Sequence, residues 1–187
     1  MPHIFDPSHA HVLESEERRK ILPVEPLVEL AKVLPEGMRK VAFDIGAGTG
    51  YYTIPLSRIF EKVYAVEVSS EMAMLLRKRL EEEGIENIGI IVTEKPPDID
   101  FRINLCLFAN VLHEMEKPEE YLRWAAEKSD FVAVIDWKKV ETGFGPPLNE
   151  RIDEEDMVKM LESTGLRVEK IEAFPYHYFL VAKRPDF

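Results

Sequence analysis

The stretch Val41-Ala42-Phe43-Asp44-Ile45-Gly46-Ala47-Gly48-Thr49-Gly50 decides the fold. A short apolar run carrying one acid runs into three glycines at alternate positions. That pattern reads as a buried strand entering a tight turn, with a helix expected beyond it. Such a turn lets a large polar cofactor lie against bare main chain.

Outward from this turn, strands and helices alternate. The expected strands are Val41–Ile45, Lys62–Val68, Ile88–Thr93, Ile103–Ala109 and Phe131–Trp137. Helices are expected over Thr49–Phe60, over Ser70–Glu83, from Lys117-Pro118-Glu119-Glu120 onward, and over Asp153–Thr164. Ser70–Glu83 places Met72, Leu75, Leu76 and Leu80 on one face, with Gly84 as terminator. Asp153 suits a helix start and Gly165 a helix end. Alternation of this kind predicts an α/β fold, a parallel sheet with helices on both faces. The ending differs. Arg167–Ala173 and Tyr176–Lys183 are joined only through Phe174-Pro175, too short for a crossover, so that pair is antiparallel. A ligand is expected above the carboxyl ends of the first, second and fourth strands. Residues 1–40 hold one helical segment, Val24 to Leu34, broken by Pro35-Glu36-Gly37. They read as a cap on the sheet edge, with lid character over residues 1–20, and the whole of 1–187 reads as one domain.

The 187 residues carry a net charge of -11, 45% hydrophobic and 32% charged residues. That describes a soluble globular chain large enough for one substantial core. Its acidity argues against broad attraction to nucleic acid or to an anionic membrane. No apolar run is long enough to span a bilayer, and the N-terminus lacks a signal-peptide pattern. With a single cysteine, Cys106, neither an intramolecular disulfide nor a cysteine-rich zinc site is possible, and a cytoplasmic setting is the default. His3, His9 and His11 lack the further ligands a metal site needs, so no metal is expected. The sequence has no glutamine and many Glu, Lys and Arg residues, a profile seen in proteins of hot environments.

Glycine spacing separates two cofactor classes. In the dinucleotide fingerprint G-x-G-x-x-G the third glycine would fall at position 51, which is Tyr51. Gly50 gives G-x-G-x-G instead, preceded by Asp44 and followed at a fitting distance by Glu67. On these residues the chain resembles class I S-adenosylmethionine-dependent methyltransferases, over roughly Val41 to Lys183. The resemblance implies a Rossmann-like, doubly wound, seven-stranded sheet, mostly parallel with the last strand antiparallel. It implies S-adenosyl-L-methionine as cofactor, whose cationic sulfonium and amino-acid tail suit an acid such as Asp44.

Carried onto this sequence, the resemblance places the cofactor on Asp44, Gly46, Ala47, Gly48, Gly50, Glu67, Val68, Met72, Thr93, Glu94, Asn110 and Val111. Glu67 ends its strand and offers two oxygens to the ribose hydroxyls. Val68 and Met72 would pack on adenine, although a methionine at helical spacing also suits the core. Thr93 and Glu94 stand equally as adenine contacts and as a plain turn. Asn110 and Val111, in Phe108-Ala109-Asn110-Val111-Leu112-His113-Glu114, would pass beneath the methionine portion. The chain departs from its relatives at Arg102 and Asn104, where aspartate is often found, and at Lys128-Ser129-Asp130, where a glycine turn is common.

Methyl transfer needs alignment and exclusion of water, and a base only when the acceptor carries a proton. His113 is the leading candidate for that base, weighed against a slightly favoured reading as a packing or capping histidine. Asp136 and Trp137 end the fifth strand facing the pocket, and His177 ranks lower. The irregular Lys138–Asn149 segment is expected to shape the acceptor pocket. The expected activity is transfer of a methyl group to a small-molecule acceptor. The alternatives are a non-catalytic cofactor-binding module that regulates or scaffolds a partner, methylation of RNA or protein, and, last, nicotinamide chemistry.

Overall fold

The computed structural model describes residues 6–187. Seven strands form one sheet: β1 (Val41–Ile45), β2 (Lys62–Glu67), β3 (Ile88–Val92), β4 (Ile103–Ala109), β5 (Ser129–Trp137), β6 (Arg167–Ile171) and β7 (His177–Lys183). Their order is β3-β2-β1-β4-β5-β7-β6. The first five are parallel, and β7 runs antiparallel to both of its neighbours, β5 and β6. The expected antiparallel ending is therefore present, and β7 also inserts between β5 and β6.

The helices are α1 (Glu16–Ile21), α2 (Glu25–Val33), α3 (Thr53–Ser57), α4 (Ser70–Glu83), α5 (Pro118–Lys128) and α6 (Glu154–Ser163). Residues from α2, α3 and α4 pack with one face of the sheet through Leu27, Ala31, Leu56, Leu76 and Leu80. Residues from α5 and α6 pack with the other through Leu122, Ala125, Met157 and Leu161. Every residue of β4 is buried, as a central strand covered on both faces requires. Caps fall where the sequence places them. Ser69 accepts from the Met72 N–H and Asp153 from the Glu155 N–H, and Gly84 closes α4 at φ +67°.

Two expectations need correction. The helix after the glycine turn covers only Thr53–Ser57, not Thr49–Phe60, because Thr49–Tyr52 continue the turn. Leu75 is not on the buried face of α4: it is 44% exposed, and Ala73 takes its place beside Met72, Leu76 and Leu80.

The sheet fixes where a ligand belongs. From β1 the chain builds outward through β2 and β3, then crosses to β4 on the other side. The cleft at this reversal opens above the carboxyl ends of β1 and β4. At the opposite end, Asn104 Oδ1 accepts from the Lys40 and Val41 N–H groups at 3.1 and 3.0 Å, and its Nδ2 donates to Asp130 Oδ2 at 2.9 Å. Arg102 donates to Asp130 Oδ1 and to the Glu127 and Ser129 carbonyls. The departures from the family pattern thus form one clasp joining the amino ends of β1, β4 and β5.

No helix among the described residues is long and apolar enough to cross a membrane. Among the same residues no group of three or more His, Cys, Asp or Glu side chains is placed to hold a metal ion. His3 and the His11 side chain lie outside the described residues.

Candidate active site

The glycine turn connects β1 to α3 over the ends of two other strands. Gly46 and Ala47 both donate to the Val66 carbonyl, at 2.8 and 3.1 Å. Gly46 has φ +74°, and a Cβ there would lie 2.4 Å from Val111 Cγ2. Gly50, at φ +94°, would meet Leu76 Cδ1 at 2.7 Å. Both positions therefore demand glycine twice over, for conformation and for room. The turn comes to rest on β2, where the Gly48 N–H donates to Glu67 Oε2 at 2.8 Å.

Glu67 is buried, and its second oxygen accepts from the Ser69 N–H at 3.2 Å. Two backbone donors thus fix the carboxylate at the strand end, and each oxygen keeps a further lone pair. Asp44, on β1, is 2% exposed, and its Oδ2 accepts from Thr53 Oγ1 at 2.6 Å. Burial pushes the Asp44 carboxyl up to about 7; the Thr53 hydrogen bond opposes this, Glu67 adds to it, and Arg18 opposes it from α1. A carboxyl group in this position gains its charge most readily when a cation lies beside it.

The remaining cofactor candidates differ in setting. Val68 is 43% exposed at the end of β2, and Val92, which sequence reading passed over, is 51% exposed at the end of neighbouring β3. Both flank Glu67, Val68 as the next residue and Val92 as its register partner on β3. Met72 is buried in the first turn of α4. Thr93 turns its hydroxyl to Lys95, accepting from its N–H and donating to its carbonyl, and Glu94 is exposed. Asn110 takes φ +54°, unusual for a residue with a side chain. Its N–H donates to the Ile135 carbonyl at 2.8 Å, while its buried Oδ1 has no partner. Val111 packs on Gly46, so the turns after β1 and β4 touch.

Beyond this turn, His113 Nδ1 lies 2.7 Å from Asp136 Oδ1. Asp136 also accepts from the Trp137 N–H at 2.8 Å and from the His113 N–H at 3.4 Å. An aspartate gripped this way holds the imidazole as the Nδ1–H tautomer, with the Nε2 lone pair facing away. Burial works against a charge on His113, but Asp136, with Glu114 and Glu150, outweighs it and raises the affinity for a proton. Glu114 Oε1 stands 4.0 Å from Nε2, and burial pushes Glu114 up to about 7. The sequence leaves His113 between a base and a packing or hydrogen-bonding residue; the structure buries it in a pair with Asp136, which is compatible with both.

The Lys138–Asn149 segment is anchored by Arg151, which is 5% exposed. Its Nε donates to the Pro146 carbonyl, Nη1 to the Lys138 and Val140 carbonyls, and Nη2 to Thr142 Oγ1 and the Phe144 carbonyl. The guanidinium also lies over the Trp137 ring at 5.1 Å. Trp137 meets Phe144 edge-on and lies 4.2 Å from the His177 ring between centroids. His177 is buried with neither nitrogen partnered, and burial lowers it to about 3. On the α1 side, Arg18 lies 4.3 Å over the Tyr51 ring, and Tyr51 Oη donates to the Leu22 carbonyl at 2.6 Å.

The sheet is doubly wound, with a glycine turn and two buried carboxylates, Asp44 and Glu67, at its switch point. Comparison with known proteins assigns this arrangement to a family. A family model described as a methyltransferase domain matches residues 42–128. An S-adenosylmethionine-dependent methyltransferase from Aquifex aeolicus superposes with a TM-score of 0.84 at 28% identity, covering 96% of this chain and 98% of that one. A protein described as a type 11 methyltransferase, from Sulfolobus solfataricus, is 30% identical over 82% of this chain and 90% of its own, with a TM-score of 0.66. A protein-L-isoaspartate O-methyltransferase from Magnetococcus marinus is 36% identical over 62 residues, 33% of this chain and only 27% of that relative. The chain belongs to the class I S-adenosylmethionine-dependent methyltransferases, and its cofactor is S-adenosyl-L-methionine.

Proposed function

We propose that the protein transfers the methyl group of S-adenosylmethionine to a small-molecule acceptor. When bound, the cofactor supplies the electrophilic methyl, and the chain supplies grip, alignment and dryness. Glu67 would take the ribose hydroxyls and Asp44 the ammonium of the methionine tail. Gly46, Ala47, Gly48 and Gly50 would lay bare backbone along it, with Asn110 and Val111 beneath. Val68, Met72, Thr93 and Glu94 would border the adenine. His113 stands beyond the β4 turn as the group able to accept a proton. The described part of residues 1–40 would act as a cap, fastened by Arg18 and Tyr51.

What supports the small-molecule reading is the packing of this chain's own aromatic residues next to the His113–Asp136 pair. Trp137, Phe144 and His177 pack together there, and Arg151 binds the loop in front of them. The net charge of -11 weighs against an RNA acceptor.

The test has two parts. Calorimetry with S-adenosylhomocysteine should give binding that Glu67→Ala weakens by about tenfold or more, since two hydrogen bonds to a charged group are lost. Methyl-labelled cofactor incubated with separated small-molecule, protein and RNA fractions of a cell extract should label the first. Label in protein or RNA would overturn the acceptor class. Binding without label in any fraction would leave a cofactor-binding module.

A further inference from the structure

Asp136 is satisfied, but three acceptor atoms lack donors: His113 Nε2, Asn110 Oδ1 on the same turn after β4, and Glu150 Oε2. With Nδ1 turned to Asp136, Nε2 carries a lone pair; it has no hydrogen-bond partner and is not sealed from solvent. Glu150 Oε2 is buried and accepts from nothing, and its charge reaches both His113 and Glu114. Asn110 Oδ1 is a further buried acceptor without a donor. Arg151 commits its N–H groups to Thr142 and the backbone of 138–146, while neutral His177 keeps one N–H without an acceptor beside Trp137.

A buried acceptor atom costs stability until a donor reaches it. Asp136 lies 2.7 Å and Glu114 4.0 Å from the two ring nitrogens of His113, and the charge of Glu150 acts on both His113 and Glu114. Such surroundings favour a guest that is positively charged and rich in N–H groups, and they repel an anion.

Resting on the reading that this site methylates a small molecule, we propose that the acceptor is a primary or secondary amine bound as its ammonium, and that His113 is the base that deprotonates it. An ammonium has no free lone pair and cannot attack until a proton leaves. That proton passes to His113 Nε2, giving an uncharged amine and an imidazolium paired with Asp136. The nitrogen lone pair then forms the N–CH3 bond as the S–CH3 bond breaks, with the bonding pair remaining on sulfur. The product is a methylated ammonium, and the imidazolium returns its proton to Glu114 or to water. Asp136 is a positioning residue that fixes the tautomer. Glu114, with its raised proton affinity, is suited to receive the proton.

Calorimetry on the full chain saturated with S-adenosylhomocysteine tests the guest, using phenethylamine, phenethyl alcohol and hydrocinnamate as probes matched in ring and chain. The amine should bind about tenfold or more tighter than the alcohol, and the carboxylate should not bind. Glu150→Gln should weaken the amine severalfold and leave the affinity for S-adenosylhomocysteine unchanged. Nitrogen NMR of the imidazoles should show His113 as the Nδ1–H tautomer, its Nε2 signal moving when the amine binds, and Asp136→Asn should abolish that tautomer preference. With labelled S-adenosylmethionine, His113→Ala should lower kcat about a hundredfold with little change in KM for the amine. His113→Gln serves where the alanine variant does not fold. Alcohol or carboxylate binding as tight as the amine, an amine that fails to bind, or an unmoved Nε2 signal overturns the proposal. A protein that does not bind S-adenosylhomocysteine would instead strike at the methyltransferase reading beneath it.

Discussion

A carboxyl group as deeply buried as Asp44 costs stability whenever it is ionised. Its proton affinity in the folded chain, near 7, lies above its ordinary value of 3.8. The contribution to stability is therefore full below about pH 4 and is lost as pH rises through 7. Asp44→Asn should exceed the wild type in stability by on the order of 2 kcal/mol at pH 8. The difference should close toward pH 5, as urea unfolding at both values would show. The same titration should govern binding. With Glu67, Arg18 and Thr53 around Asp44, affinity for S-adenosylhomocysteine should fall as pH drops below 7, with proton release in calorimetry near pH 6. Asp44, Glu67 and the glycines were legible in sequence because each states its chemistry by residue type at a strand end. Thr53 was not. It reaches Asp44 only because the turn runs on through Tyr52 before α3 begins.

Between elements, the contact of Gly46 with Val111 joins the turns after β1 and β4. Gly46→Ala would combine a left-handed backbone with a collision, and should destabilise by about 2–4 kcal/mol. Adding Val111→Ala should recover only the share of the collision made by the two methyl groups, since the Cβ of residue 111 still lies 2.7 Å away and the backbone cost stays, a double-mutant cycle readable by denaturation. The loop 138–146 depends on Arg151 in a different way. Lysine brings three donors to the oxygens that Arg151 now holds, so Arg151→Lys should speed hydrogen exchange across 138–147 and leave affinity for S-adenosylhomocysteine intact. Sequence reading placed this loop but not its anchor, since nothing local marks an arginine whose partners are mostly carbonyl oxygens. It also placed Leu75 on the wrong side of α4: helical spacing alone does not separate Leu75 from Leu76, and packing against the sheet does.

Across the whole molecule, the two ends of the sheet do different work. The carboxyl ends carry the cofactor candidates and the His113–Asp136 pair. The amino ends carry the Arg102–Asn104–Asp130 clasp. Asp130→Ala would strip partners from Asn104 and Arg102 and should cost about 1–3 kcal/mol. Affinity for S-adenosylhomocysteine should not change, because the clasp lies a full strand length from the site. The alternation of elements and the antiparallel ending were readable because each is written in local pattern and loop length. The His113–Asp136 pair was not, since its members lie 23 positions apart on different elements and meet only once β4 and β5 pair.

The way Arg151 holds its loop has a further consequence for descent with change. The fastening and what it fastens lie within one continuous segment, 138–151, and the acceptors of the arginine all belong to that segment. Its outside footing includes the Trp137 ring, the edge-on contact of Phe144 with Tyr176, and bonds from the Lys138 main chain and ammonium to the Tyr176 and Phe174 carbonyls. Such a segment can be exchanged as a cassette, bringing its own internal order with it and asking little of the strands on either side. Under the proposed function, the acceptor side can then drift among descendants while the cofactor candidates on β1 and β2 stay fixed.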